Sequence, residues 1–482
     1  MVKVAESSRK DVIIVGAGMA GMTAAIEARS RGAHVIVTEK FPDVTRSSTS
    51  LAGGGFDVQA QPYGRYSKEE LTEAFLKTSS GLCDRNLVET FASRLADDFQ
   101  WLKDELGLPL APNPIRKSGF SVVGKGAGIP PFLENKAREK GVEFHFNTKA
   151  RRLLMDRHGR VVGLEATTPE GPREYGAGAV VLATGGFESN GEMVRKYLGQ
   201  EVHETAFTHR ASSLSHAGDG QLMAMEVGAS FAKHPFLIHC RAEDKAWEGP
   251  GVRPNNLGGP IRALPHIYRW GLWINKRGMR FIDESEESDP VSTAIIRQPE
   301  GVAAILFDHG IRERFAEEAQ RYEQAVPQVF TEAGSIGDLA EKIGFPREQV
   351  QSTVSEFNEA VKAGKALALE IPKGLRAPTA VALDKPPFYA VYPIWSSMNT
   401  IWGGLEIDAR TRVLDRDGNF IPGLYAAGAL FGGIFTGFWT QTPSGTWTYR
   451  GNYHWLAASL QVCLVFGRIA GENAVAYVRE VH

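Results

Sequence analysis

Cysteine is scarce in this chain: Cys83, Cys240 and Cys463 are all it has in 482 residues. So odd and scattered a set forms neither a metal knuckle nor a Cys-x-x-Cys-His haem site, and it fits a reducing compartment. Neither sign of charge is in excess. The formal net charge of −2 gives no reason to expect a nucleic-acid or membrane-surface partner. Long apolar runs are missing as well, since the longest, Leu456 to Phe466, contains Ser459 and Gln461 and is too short to span a bilayer. Met1 to Lys10 is short and polar, unlike a signal peptide, so the expected compartment is the cytoplasm. His203, His209, His216, His234 and His239 keep no metal-ligand spacing with an acid or a cysteine, and no metal is expected. Internal repeats and low-complexity segments are absent.

Glycine is abundant, with 52 residues, and its most informative use is near the start. The apolar strand Asp11-Val12-Ile13-Ile14-Val15 runs into Gly16-Ala17-Gly18-Met19-Ala20-Gly21 and then into a small-residue helix, Met22 to Ser30. Gly16 permits the tight turn, Gly18 admits a pyrophosphate to the backbone, and Gly21 lets helix and strand pack closely. The helix N-terminus then faces the phosphates. A second strand, His34 to Val37, leads to Glu39, where a carboxylate can hold a ribose hydroxyl pair. This is a dinucleotide site. A structural glycine turn would leave Glu39 unexplained.

The small-residue loop Arg46 to Gly55 follows, and then two amphipathic helices between Ser67 and Leu106. Gly124-Lys125-Gly126-Ala127-Gly128 looks like another phosphate loop but follows no clear strand, and it is read as the opening of a helix from Pro131 to Lys140. Strands are expected at Val142–Phe146, Arg151–Met155, Val161–Glu165 and Ala179–Leu182, with a hairpin turn at Asp156 to Gly159. Helices follow at Glu192–Leu198 and Gly220–Val227. From about Lys245 to Ala390 the texture changes to scattered prolines, an acidic run at Asp283 to Glu287, and helices at Ile311–Tyr322, Ile336–Ile343 and Arg347–Ala363. Strand-and-glycine texture then returns. The fold class is therefore α/β: a Rossmann-like domain from 1–245 and 392–482, with an inserted α+β capping (substrate) domain at 246–391.

Three further segments separate FAD from NAD. Ala183-Thr184-Gly185-Gly186, Gly218-Asp219-Gly220 and Ile421-Pro422-Gly423-Leu424-Tyr425-Ala426-Ala427-Gly428 together resemble the flavoproteins of the fumarate reductase and succinate dehydrogenase superfamily. So do the cap signature Trp273 to Glu284 and the closing Phe466-Gly467-Arg468-Ile469-Ala470-Gly471. The resemblance covers nearly the whole chain and looks nearest to 3-ketosteroid-dehydrogenase-like and tricarballylate-dehydrogenase-like members. It implies an FAD-dependent oxidoreductase with extended FAD on Gly16, Ala17, Gly18, Ala20, Gly21, Glu39, Lys40, Ser47, Ser50, Ala52, Gly53, Gly54 and Gly55. Further contacts are expected from Ala150, Ala183, Thr184, Gly185, Asn190, Asp219, Gly428, Ala429, Ser459 and Leu460. Ser48 stands where succinate dehydrogenases carry the histidine that attaches FAD, so non-covalent FAD is expected.

The chain departs from fumarate reductase at three elements implied by the resemblance. The arginine donor position falls at Ser288, a substrate-binding histidine pair at Asn399-Thr400, and the C-terminal substrate arginine at His454. Serine can neither deliver that proton nor grip a carboxylate as arginine does. Between Phe431 and Trp455 the chain carries Phe431, Phe435, Phe438, Trp439, Trp447, Tyr449, Tyr453 and Trp455. This segment (431–455) reads either as structural packing or as an apolar lid over a ring-shaped substrate. The expected chemistry is desaturation α,β to the carbonyl of a small cyclic ketone or keto acid. It needs a carbonyl donor (Tyr453), a base (Tyr268 or His454) and an anion anchor (Arg269 or Arg262). Two alternatives stay open: the same or reverse chemistry on an acyclic carboxylate, or a flavin electron-transfer subunit. The partners expected are a small-molecule substrate and an electron acceptor that is oxygen, a quinone or a carrier protein.

Overall fold

The computed structural model describes residues 10–113, 119–207, 214–244, 259–451 and 459–481. Strand Lys10–Val15 lies at the centre of an eight-stranded sheet. It runs parallel to Val35–Thr38 on one side and to the end of Gly171–Leu182 on the other. Glu143–His145 and Phe420–Ala426 extend the parallel order outward. Val12, Ile13 and Ile14 are fully buried, because a parallel sheet covered on both faces requires a continuous apolar run.

One of those coverings is a helix pair. Helix Met19–Ser30 packs against the C-terminal helix Ser459–Val481, and the contact is backbone to backbone. A Cβ built at Gly467 would lie 2.5 Å from the Ala20 carbonyl oxygen, and one at Gly471 would lie 2.3 Å from that of Ala24. Between these glycines Arg468 reaches Glu27 at 2.8 Å and Asp98 at 2.5 Å, tying both helices to Arg85–Gln100. The closing motif seen in the sequence is thus what seats the helix that carries the glycine loop.

A second, antiparallel sheet is ordered Leu237–Glu243, Phe388–Trp402, Val302–Asp308, Leu272–Asn275, with Phe330–Ala333 also on Phe388–Trp402. With helices such as Ser288–Ala294 and Arg347–Lys362 it forms the cap, around its own core of Trp273, Phe281, Phe307, Tyr322 and Phe357. The cap sheet reaches beyond the expected 246–391 segment at both ends. It begins at Leu237, and strand Phe388–Trp402 carries the chain without a break towards the other domain. Composition changes in loops, whereas this strand stays apolar and aromatic across the boundary. The expected helix Ile311–Tyr322 is two helices, His309–Arg314 and Ala316–Ala325, parted at Phe315.

The cap signature is held from inside by charge. Lys373, almost completely buried, donates to the carbonyls of Arg269 (2.6 Å) and Gly271 (2.7 Å) and pairs with Glu284 at 3.3 Å. Glu284 also pairs with Arg280 at 2.7 Å and accepts the Trp273 N–H. Burial pushes the Lys373 ammonium down to about 8, while Glu284 pulls it upward. Lys373→Met strands two carbonyls and half of this charge balance, so a loss of about 3 kcal/mol is expected. It should be read as an earlier midpoint in urea denaturation.

Of the aromatic residues of 431–451, Phe431, Phe435, Trp439, Trp447 and Tyr449 pack on the body of the protein. Tyr449 is buried in the hairpin of Gly437–Gln441 and Trp447–Gly451, and its hydroxyl accepts the Ile238 N–H at 3.2 Å. Arg297 stacks on Trp439 and Trp447, Phe435 packs on Trp402, and Phe431 on Phe466. Among the described residues, no helix is long and apolar enough to cross a membrane.

Candidate active site

At the C-terminal ends of the parallel strands the glycine loop opens onto a cavity of about 380 Å³, where α/β sheets place their ligands. Part of its lining comes from Gly16 to Ala20, Glu39, Lys40 and most of the 47–55 loop, and part from the second sheet and its surroundings: His239, Arg241, Arg262, Asn399, Thr400 and Trp402.

In the first part Gly16 has φ +104°, and a Cβ at Gly21 would sit 1.9 Å from the Gly16 carbonyl oxygen. Helix and loop therefore touch through bare backbone. The Glu39 carboxylate accepts the Ala17 and Phe41 N–H groups, each at 3.0 Å, which fixes it beside the loop. Lys40 and Lys149 both pair with Asp219, at 2.7 and 3.0 Å. Thr49 caps Met19 N–H at 3.0 Å. Cβ atoms at Gly53 and Gly55 would meet nothing within 4 Å, so the loop presents open backbone to the cavity.

The 124–128 segment, read above as the opening of a helix, also serves this loop. A Cβ at Gly126 would lie 2.3 Å from the Ala52 carbonyl oxygen, whose partner is the Gly126 N–H. The 124–128 segment is a buttress under the 47–55 loop. Its helix runs from Ile129 to Glu139, a little before the expected Pro131.

Twenty of the expected cofactor residues line the cavity; three do not. Gly21 packs on Gly16, and the Ser50 hydroxyl lies 3.3 Å from that of Ser47. Asn190 is used as a helix cap, accepting the Met193 N–H and donating to the Ala217 carbonyl, both at 3.1 Å. Local capping explains its presence. The lining fits FAD: glycine backbone at a helix N-terminus for the pyrophosphate, a carboxylate for the ribose, and an open glycine cradle beyond.

Burial raises the pKa of Glu39, against the pull of its amide hydrogen bonds and Lys40. As pH falls, this carboxylate is therefore protonated above the ordinary glutamate value of about 4.3, and a ribose acceptor is lost. FAD affinity is expected to weaken on acidification already above the ordinary glutamate range of about 4.3, with the slope abolished in Glu39→Gln. Fluorescence titration of apoprotein with FAD measures it.

The expected catalytic residues fare differently. Tyr268 is buried away from the described cavity lining. It accepts Arg269 Nε at 2.6 Å, and burial pushes its phenol up to about 12. That pKa is wrong for a base near neutral pH. Arg269 in turn pairs with Glu287 at 3.3 Å and does not face the cavity. The neighbouring His266 pairs with Glu318. Tyr453 and His454 lie outside the described residues. Of the two arginine candidates, Arg262 lines the cavity.

Sequence reasoning missed His239 and Arg241. They alternate on strand Leu237–Glu243 with Ile238 and Cys240, which sit in an apolar core, as the two-residue period of a strand requires. Opposite them the register slips: His239 pairs with Thr400 and Cys240 with Met398, which leaves Asn399 as an extra residue. Such a bulge re-aims side chains, and both Asn399 and Thr400 line the cavity. His239 Nε2 lies 3.2 Å from Asp289 on helix Ser288–Ala294, and both side chains are less than a tenth exposed. The alternating His-x-Arg inside an otherwise apolar strand was the available signal.

The family model described as FAD binding domain matches residues 11–441. A probable fumarate reductase, Ifc3, of Shewanella frigidimarina is 29% identical over 97% of this chain and 75% of its own length. A 4-oxocyclohexanecarboxylate 2-dehydrogenase of Sinomonas cyclohexanicum is 24% identical over 97% of this chain and 93% of its own. The solved 3-ketosteroid-Δ4-(5α)-dehydrogenase of Rhodococcus jostii RHA1 superposes with a TM-score of 0.74 at 22% identity, covering 98% of each chain. This last likeness is one of fold.

Proposed function

The chain belongs to the FAD-binding-domain family of flavoprotein oxidoreductases, and from that premise we propose that it interconverts CH–CH and C=C beside the carbonyl of a small carboxylate, a cyclic keto acid first. The observation that supports this is that two arginines, Arg241 and Arg262, are among the residues lining the cavity. Guanidinium forks match carboxylates, whereas a neutral ketone offers a single uncharged acceptor. FAD, when bound, supplies the two-electron exchange, taking up or returning a hydride.

The remaining work falls to the chain. Arg241 and Arg262 hold the carboxylate and fix the ring, Asn399 and Thr400 offer hydrogen bonds, and Trp402 gives an apolar wall. The relative that acts by its name on 4-oxocyclohexanecarboxylate has the matching ligand chemistry. Reduction of an acyclic unsaturated acid is the second reading, favoured by the fumarate reductase relative. Against it stand Ser288 and Asn399-Thr400 at the positions where the resemblance implies other residues. We further read FAD as non-covalent, with Ser48 among the residues lining the cavity; acid precipitation should leave all the flavin in the supernatant.

The test is anaerobic. The oxidised protein is mixed with 4-oxocyclohexanecarboxylate, cyclohexanone and succinate, and dithionite-reduced protein with fumarate. Flavin absorbance is followed near 450 nm (about the usual oxidised band). Bleaching by the keto acid supports the reading. Response to fumarate or succinate alone moves the chain to the acyclic alternative, and response to cyclohexanone as strong as to the keto acid removes the role of the arginines.

A further inference from the structure

Two consecutive glycines, Gly185 and Gly186, follow the buried strand Gly171–Leu182, and both make room for polar side chains. A Cβ built at Gly185 would lie 2.2 Å from His216 Nε2, and one at Gly186 would lie 2.4 Å from Glu188 Oε2. The two side chains meet there, with a hydrogen bond between His216 Nδ1 and Glu188 Oε1. Glu188 is fully buried, and its Oε2 has no partner among the described residues. His216 differs from it. Its side chain is a tenth exposed and the residue lines the cavity. Nε2 holds no hydrogen bond among the described residues and, unlike Glu188 Oε2, is not sealed off.

We infer that His216, held through Nδ1 by Glu188, donates its Nε2–H to an acceptor on the adenosine diphosphate half of FAD. The hydrogen on Nε2 follows from charge balance. If Glu188 is ionised, the ring beside it is an imidazolium and both nitrogens carry hydrogen. If the proton sits on Glu188 and points at Nδ1, the neutral ring carries its hydrogen on Nε2. Only an ionised Glu188 beside a neutral ring leaves Nε2 bare, and that puts an uncompensated charge in the interior. Both balanced arrangements therefore turn a donor to the cavity.

The neighbours of the ring belong to the adenosine diphosphate half. The Ser215 carbonyl accepts Lys40 Nζ at 2.5 Å, and Lys40 follows the ribose carboxylate Glu39 and pairs with Asp219. Gly185 lies two residues beyond Ala183, whose carbonyl oxygen is the atom that a Cβ at Gly16 would strike. Phosphate, ribose and adenine all offer acceptors to a donor placed between them. The backbone around the ring is pinned. Gln221 donates to the Gly185 carbonyl at 2.9 Å, the Ser189 N–H to the His216 carbonyl at 2.9 Å, and the Gly218 N–H to the Gly186 carbonyl at 3.2 Å. Such support keeps a binding group in place before its ligand arrives. The inference concerns the cofactor and holds whichever acid or ketone is the substrate.

The experiment titrates the full-length, flavin-stripped protein with ADP and with FAD in a calorimeter. The double variant His216→Phe/Glu188→Leu removes the donor and its buried partner together, so no unpaired charge stays in the interior. It should melt like wild type and raise the Kd for ADP and for FAD by one common factor, at least about fivefold. A second measurement needs no altered binding site. In ¹⁵N-histidine-labelled wild type, the His216 signal is assigned by its absence from the double variant or from His216→Gln. It should show hydrogen on Nε2 and shift when ADP is added.

A double variant that melts like wild type and binds ADP as tightly overturns the inference. So does a His216 signal that ADP leaves unmoved, or an Nε2 that carries no hydrogen. Weakened FAD binding with ADP binding intact also overturns it, because His216 then serves the flavin half. If wild type binds neither ligand, the cofactor assignment itself fails and takes the inference with it.

Discussion

Gly16→Val is expected to purify without flavin colour. Residue 16 sits at φ +104°, and a Cβ there would lie 2.6 Å from the Ala183 carbonyl oxygen. A β-branched residue at such a φ is an outlier, with strain of about 1–3 kcal/mol before any clash is counted. The collision adds to this, and neither neighbour can yield, since residues 13–15 and 180–182 are paired strand interior. The loop must move, and the phosphate site moves with it. A fall in FAD affinity of at least about 100-fold, roughly 2.7 kcal/mol, is expected. Gly55→Val separates cofactor from fold. Its Cβ meets nothing within 4 Å, and a β-branched residue suits the strand Gly55–Asp57. The apoprotein should melt like wild type while FAD affinity drops, because the side chain occupies the cradle. The flavin-to-protein absorbance ratio and a thermal melt of the apoprotein distinguish the two variants.

The second large effect is expected at Arg241. This residue is partly buried and lines the cavity, where a charge-assisted pair with a carboxylate is worth about 2–3 kcal/mol. Arg241→Ala should raise the KM for the acid roughly 30- to 150-fold while FAD content stays at the wild-type level. Arg262 is exposed and its pairing is screened, so Arg262→Ala should cost about 1 kcal/mol, near fivefold. Arg241→Lys keeps the charge but loses the fork, and it should fall between wild type and alanine. The effects on a neutral ketone of the same ring size should be within about twofold.

The cofactor half of the site was legible because its chemistry is written in consecutive residues. The strand, the three glycines and Glu39 lie within one βαβ turn, and backbone does the binding, so glycine spacing alone carries the signal. The cap half was not, because its residues converge from three separated places. His239 and Arg241 come from one strand, Arg262 from the helix Pro260–Ala263, and Asn399 and Thr400 from a bulge that only strand pairing reveals. Tyr268 and Arg269 looked functional as a polar pair beside the cap signature, yet they satisfy each other and Glu287 in the interior. The aromatic run left two readings open for a related reason. Composition gives its apolar payload but not its direction, and Trp439, Trp447 and Tyr449 spend theirs on Arg297 and on the strand that carries His239. Asn190 shows the same limit at smaller scale, a polar side chain near the site whose bonds go to a helix end.

The central claim is that the cavity holds FAD against its glycine loop and an anionic ring substrate against its arginines. The most direct measurement compares 4-oxocyclohexanecarboxylate with its methyl ester in anaerobic single turnover, with flavin bleaching as the signal. The two share the ring and ketone and differ in one methyl group and in the charge that Arg241 and Arg262 are assigned to hold. The account predicts saturable bleaching by the acid, and a half-saturation for the ester at least about 30-fold higher. Equal bleaching by acid and ester would contradict it, and would return the cavity to a neutral ketone held by other groups.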